Sequence, residues 1–285
     1  MSRAAILVVA LLLVIGGNGL AEDLQHYTCF KASGPITVDG RLDEPSWQAA
    51  PWSDPLVGIL DGEAAQPEYE TRVALLWDDT CLYVAFDISE QNVWATLTVR
   101  DSKIWKDNDV ELFIDGGDTY YEFEINAFNT IYEVFWVWDD ARVAGSVFYD
   151  AVEWDPEVQN VISGSAPERG ARLGFLDWDF PGLTHAVHVS GTLNKPDDVD
   201  EGWTVELALP WAGMELLAGE RSLPPKPGDV WRIDCSRFEH VPPELAHHGK
   251  TAGWTWNKHG RWDSHMPWRF TYVHFSEKTV GALQK

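Results

Sequence analysis

Three stretches of strict alternation constrain this chain more than any other feature. Leu82, Val84, Phe86 and Ile88 alternate with Tyr83, Ala85, Asp87 and Ser89. Tyr121, Phe123 and Ile125 alternate with Glu122, Glu124 and Asn126, and Trp203, Val205, Leu207 and Leu209 with Thr204, Glu206 and Ala208. A period of two puts successive side chains on opposite faces, so each stretch reads as a strand with one face in a core and one toward water. Shorter candidates are 36–38, 110–114, 131–137, 186–190, 230–236, 252–256 and 270–275. Turn residues punctuate them at Asp78-Asp79, Gly116-Gly117, Phe128-Asn129, Pro196-Asp197-Asp198 and Pro227-Gly228-Asp229. Helical periodicity is confined to 44–50, roughly two turns, and to 212–218 after Pro210. The pattern predicts an all-β chain, an antiparallel β-sandwich of immunoglobulin or jelly-roll type with short helical turns. Residues 139–179 are the least regular and read as an elaborated loop region within one domain.

The start reads differently. Arg3 precedes an unbroken apolar run from Ala4 to Ile15, which Gly16, Gly17, Asn18 and Gly19 interrupt before small residues at Gly19-Leu20-Ala21. Such a run falls short of the ~20 residues that span a bilayer. Residues 1–21 are therefore expected to be a cleaved secretory signal, and 22–285 a single domain with its core at about 36–275. No Cys stands at the cleavage point to carry a lipid. The expected location is outside the cytoplasm, periplasmic or secreted, with no membrane association after cleavage. Cys29, Cys81 and Cys235 allow at most one internal disulfide; burial as three small hydrophobes is the equal alternative.

Charge narrows the partners. The chain carries 45 acidic side chains against 21 basic ones, a formal charge of −24. That excludes nucleic acid, whose phosphates are neutralised by Lys and Arg, and an anionic membrane surface. At 45% apolar residues the chain can build a core and is not a disordered acidic tail.

Aromatic residues are the second resource, with 16 Trp. Trp203 and Trp231 fall at apolar alternation positions and should be core. Trp105 stands instead in a polar loop before a strand, and Trp254, Trp256, Trp262 and Trp268 crowd a second loop with Asn257, His259, Arg261, Asp263 and His265. Polar loops dense in Trp favour ligand contact, because a flat ring suits the apolar C–H face of a sugar. Glu111 and the row Glu122, Glu124, Asn126 form either a solvated sheet face or a polar floor for hydroxyls, with Arg100 and Arg237 as donors in return.

Other chemistry finds less support. A glycosidase needs two carboxylates at a set separation, and 45 acids leave that signal nearly empty. There is no continued G-x-S-x-G elbow, phosphate-binding glycine loop or H-E-x-x-H. The pair His247-His248 is poorly spaced for one metal. His265 beside Met266 could ligate haem iron, but no spacing enforces it. Structural calcium fits the acid-rich turns at Asp39-Gly40 with Asp43-Glu44 and along 107–115, although no EF-hand spacing appears; no cofactor is otherwise required.

The order of motifs resembles the family 9 carbohydrate-binding module-like domains. The carrying segments are Ile36-Thr-Val-Asp-Gly-Arg-Leu-Asp-Glu-Pro-Ser-Trp47, 71–85, Arg100-Asp101 with Trp105, Asn108–Asp115, Tyr120–Asn126, 191–194 with Gly202–Trp211, and Trp254–Trp256 through His265–Phe270. The resemblance implies a β-sandwich of the DOMON-like superfamily in which two Trp rings clamp a terminal sugar. Trp105 matches the first clamp residue and Glu111, six residues on, a sugar-binding Glu. The second clamp falls on Trp256 or Trp262. Glu124 stands where sugar-binding members carry Arg, and Arg237 where they carry Asp. That implies a swapped ion pair, a changed specificity or a lost sugar site.

The expectation is an exported, non-catalytic protein that binds a poly- or oligosaccharide and takes part in polysaccharide catabolism. Its site would be drawn from Arg100, Trp105, Glu111, Glu124, Arg237, Trp256 and Trp262. The alternatives are a haem-binding electron-transfer domain of the same superfamily and an accessory domain of a glycoside hydrolase.

Overall fold

A computed structural model describes residues 24–60, 68–145, 160–240 and 251–282. The expected signal at 1–21, the His247-His248 pair and part of the irregular region (146–159) lie outside the described residues.

The alternating stretches are strands. β1 (His26–Lys31) and β2 (Val57–Gly58) precede β3 (Thr71–Trp77) and β4 (Cys81–Ser89). β5 (Asp109–Asp115), β6 (Thr119–Asn126) and β7 (Ile131–Trp138) follow as two hairpins. Then come β8 (Val161–Ala166), β9 (Gly170–Phe175), β10 (Thr184–Ser190) and β11 (Gly202–Pro210). β12 (Val230–Glu239), β13 (Ala252–Thr255) and β14 (Thr271–Thr279) complete the described strands. The expected turns fall between them; at the β6–β7 turn Asn129 adopts φ 62°, a conformation Asn tolerates better than most residues. Short helices cover Pro45–Gln48 and Glu215–Ala218, near the two expected sites. Residues 36–38 are irregular rather than a strand; Ile36 and Val38 pack on the outside of the sheet instead.

One continuous sheet runs in the order β10, β11, β4, β3, β1, β14, β12, β5, β6, β7, β9, β8, with β13 and β2 added beside β12. It folds over on itself into a sandwich. Leu82, Val84, Phe86 and Ile88 of β4, the Trp203 row of β11, Val110, Leu112 and Ile114 of β5, and Tyr121, Phe123 and Ile125 of β6 meet in one buried cluster. Trp203 and Trp231 are both only 1% exposed, as core positions require. Pairing is antiparallel except at β1, which runs parallel to both β14 and β3. Alternation has period two in either pairing mode, so the sequence pattern does not announce this parallel strand. Cys29 and Cys235 are fully buried, and all three cysteines are free.

Each outer face has its own cover. On the β3–β4–β11 half, Glu206 accepts hydrogen bonds from the amides of Asp39 and Gly40 and from the Trp47 indole, at 3.0, 2.7 and 2.7 Å. Those contacts fasten residues 39–47 over the sheet. Gly40 takes φ +83°, and a Cβ there would sit 2.6 Å from the Val187 carbonyl carbon, so only glycine fits. The outer face of the β12–β5–β6–β7–β9 half carries the candidate site.

Candidate functional site

Register decides which side chains reach this face. Glu111 of β5 lies opposite Glu124 of β6 and opposite Ser236 of β12; Phe113 lies opposite Glu122, and Glu124 opposite Tyr132 of β7. The outward row is thus Asp109 and Glu111, then Glu122, Glu124 and Asn126, then Tyr132 and Trp136. This row is not solvated. Glu111, Glu122 and Glu124 are 2–3% exposed and Asp109 is 0% exposed.

Two loops cover them. The first is held by Asp107, whose carboxylate accepts the amides of Thr96 and Leu97, each at 2.8 Å, and the Asn126 side-chain amide at 2.9 Å. Ile104, 0% exposed, plugs this loop into the core. It places Trp105 so that its amide donates to Glu124 Oε2 at 2.8 Å and its ring meets Tyr132 edge-on at 5.1 Å. The second loop, 257–266, is tied down by buried His259. One of its nitrogens lies 3.4 Å from Asp234 Oδ2 of β12, and the other bonds the Asp263 carbonyl oxygen at 2.7 Å. It places Trp262 edge-on against Phe238 of β12 at 5.2 Å. β5 and β6 lie between the two strands on which these tryptophans lean.

Between the loops is a cavity of about 400 Å³, within the size range of small-ligand sites. Trp105, Trp262, Tyr132, Trp136 and Phe238 give it apolar walls, and Glu111, Glu122 and Glu124 a polar floor. Glu111 accepts the Ser236 hydroxyl at 2.6 Å, and Glu122 the Trp136 indole N–H at 2.6 Å. Arg172 of β9 enters from the side, its guanidinium stacked over Trp136 and Trp138 at 5.3 and 5.7 Å. His265 closes the far side, with Nδ1 3.1 Å from the Tyr120 hydroxyl and Nε2 3.4 Å from Glu122 Oε1.

Crowding so many acids in a buried place has an electrostatic consequence. Burial pushes Glu111 up to about 7. Burial and then the charge of Glu111 push Glu122 up to about 8. Burial and the neighbouring acids raise Glu124 and Asp109 well above the carboxylate range. His265 is held well below its ordinary value, first by burial and then by Arg172, so it is neutral beside Glu122.

Of the residues singled out from sequence, Trp105, Glu111, Glu124 and Trp262 meet in this cavity. Three do not line it. Arg237 follows Ser236 along β12 and so alternates to the other face. There it is fully buried, pairing with Glu90 and Glu239 at 3.2 and 3.4 Å and bonding Thr71 and the Ser89 carbonyl oxygen, each at 3.0 Å. It forms no swapped pair with Glu124. Arg100 is drawn to the inward side of β7 by Glu133 and to Asp179 at 2.9 Å. Trp256 is 6% exposed and packs edge-on against Tyr27 at 5.3 Å. Met266 accepts from Arg261 Nε at its sulfur, at 3.2 Å.

Glu122, Tyr132, Trp136, Phe238, Arg172 and His265 are part of the site but were not among the residues singled out for it. For Glu122 a signal existed, since it shares the alternating row with Glu124. Trp136 and Arg172 arrive through the pairing of β7 with β9, which has no mark in the sequence.

Residues 61–179 match the model of the family described as Carbohydrate-binding family 9; the span includes Trp105, Glu111 and Glu124. No curated protein matches the chain. Among solved structures, a Bacteroides uniformis ATCC 8492 protein put forward as carbohydrate-binding superposes with a TM-score of 0.59 at 14% identity, covering 89% of this chain and all of the other. A family 9 carbohydrate-binding module from Caldicellulosiruptor kristjanssonii, solved with glucose, gives a TM-score of 0.49 at 13% identity, over 88% of this chain and 96% of that one. Its cellotriose complex gives 0.47 at 13% identity, over 90% and 96%. No described helix is long and apolar enough to cross a membrane.

Proposed function

We propose that this chain is a non-catalytic carbohydrate-binding protein that acts outside the cytoplasm in polysaccharide use. The observation that carries the reading is the cavity itself. Trp105 and Trp262 supply rings for the C–H faces of a sugar, over a floor of Glu111, Glu122 and Glu124 that accepts hydrogen bonds from its hydroxyls. Trp262 is 48% exposed and lines the cavity, so its ring is accessible to a ligand there. The family match over 61–179 supports the same reading.

Glycan-array screening followed by titration calorimetry tests it. A soluble oligosaccharide is expected to bind, and Trp105→Ala and Trp262→Ala are each expected to weaken it about tenfold or more, since a well-placed aromatic contact contributes about 1 kcal/mol beyond its area and hot-spot aromatics more. Circular dichroism would verify that the variants stay folded. Absence of any glycan ligand, or full affinity in both variants, overturns the proposal. Chromogenic glycosides are expected to pass through unhydrolysed; turnover lost in Glu111→Gln would make the protein an enzyme instead.

A further inference from the structure

Two carboxylates at the floor of the cavity, Glu111 and Glu124, and a third buried beside them, Asp109, are closer together than solvated acids would be. One oxygen from each of Asp109, Glu111 and Glu124 lies within 4.8 Å of the other two. The sheet enforces the grouping: Asp109 and Glu111 are two apart on β5, and Glu124 is Glu111's partner across the ladder. None of the three pairs with Lys or Arg among the described residues.

Asp109 is the independent sign. It is 0% exposed, and neither carboxylate oxygen accepts a hydrogen bond from the described residues. The Phe238 amide eases its charge without reaching hydrogen-bonding geometry. A buried carboxylate without a donor is unfavourable and rare, and calls for a proton or a cation. Glu111 and Glu124 differ, each having one oxygen already engaged, by Ser236 and by the Trp105 amide.

We propose that Asp109, Glu111 and Glu124 bind one hard divalent cation, calcium by preference. A set of carboxylate oxygens is the donor chemistry of calcium. Three oxygens that share an ion about 2.3–2.6 Å from each lie up to roughly 4.5 Å apart, and these three lie within 4.8 Å of one another. Magnesium, at about 2.0–2.1 Å, demands a tighter octahedron. Three protein ligands leave coordination positions open toward the cavity. Resting on the carbohydrate-binding reading, the ion would take sugar hydroxyls there, so that calcium bridges the floor to the ligand.

The test uses the full chain stripped with EDTA. Calcium alone is expected to give a saturable one-site heat. Terbium is expected to bind in its place and luminesce through excitation of the adjacent Trp105, an emission that calcium chases away. Asp109→Asn should weaken the site at least tenfold. It should also unfold at a higher temperature than the parent in EDTA, which separates lost ligation from lost folding. No calcium heat and no sensitised terbium emission overturns the site, as does unchanged calcium affinity in Asp109→Asn and Glu124→Gln. Heat from D-glucosamine without heat from calcium would overturn it in favour of an ammonium ligand.

Titration with glucose and cellotriose, with calcium and then with EDTA, tests the bridge. Equal sugar affinity in both overturns the bridging while the carbohydrate-binding reading stands. Calcium binding with no glycan bound in either condition overturns that reading while the cation site stands.

Discussion

Burial acts on Glu111 and Glu122 in one direction: the protonated form is favoured in the fold, at about 7 and about 8 against an ordinary 4.5. Between those limits the folded chain holds protons that the unfolded chain has lost. The stability from this source is fully present below about 4.5 and is lost as pH rises through 8. Chelator-treated protein should therefore melt at a lower temperature at pH 8.5 than at pH 5.5. Glu122→Gln, which keeps an acceptor for the Trp136 indole, should shrink that difference. Equal pH slopes in calorimetric melts of parent and variant would count against the buried acid row. At this scale Trp105 and Glu111 were legible, because a Trp in a polar loop and a Glu on the next strand both break the expected apolar pattern. Asp109 was legible only as part of the acid-rich stretch 107–115; its burial was not, since an acid at the start of a strand looks solvated until the loops that cover it are placed.

Elements explain the remaining differences through parity. Along β12 one step separates Ser236, which touches Glu111, from Arg237, which faces the interior. A sequence shows that two neighbours take opposite faces but not which face is the site. Arg237→Met is expected to leave Glu90 and Glu239 buried without their cation, with a loss of about 3–5 kcal/mol in chemical denaturation, while glycan affinity of the folded fraction is unchanged. A change in affinity at constant stability would return Arg237 to the binding machinery. The opening motif is legible in a similar way. Asp39-Gly40 with Asp43-Glu44 reads as an acid-rich turn, yet the amides of Asp39 and Gly40 and the nearby Trp47 indole converge on Glu206 and make a clasp. The motif holds residues 39–47 over one half of the sheet, and the candidate site lies on the other half.

At the scale of the whole molecule, the sandwich was foreseeable from alternation alone, because long apolar rows on several strands have few ways to be buried. Its closure was not. β1 joins the two halves by lying parallel between β3 and β14, and a strand of six residues with no special composition gives no sign of that role. Thr28 pairs with His274 inside this seam. Thr28→Pro puts a residue without an N–H in the middle of the ladder that β1 makes with β14. It should lower the melting temperature by about 10 °C, the shift expected of a loss of roughly 3 kcal/mol in a domain of this size. A melt by circular dichroism unchanged from the parent would show that the halves cohere without β1.

The same seam sets a timetable. His26 and His274 stack side by side although 248 residues separate them along the chain, so β1 must wait for all of that length to be made before its partner exists. Non-local pairings of this kind fold slowly, because the closure entropy precedes the reward. Until β14 arrives, β1 and β12 each present an open edge to whatever strand is nearby. A nascent molecule is then most exposed to pairing with another copy, and its yield should depend on how well the chain is kept unfolded until its last strands are made.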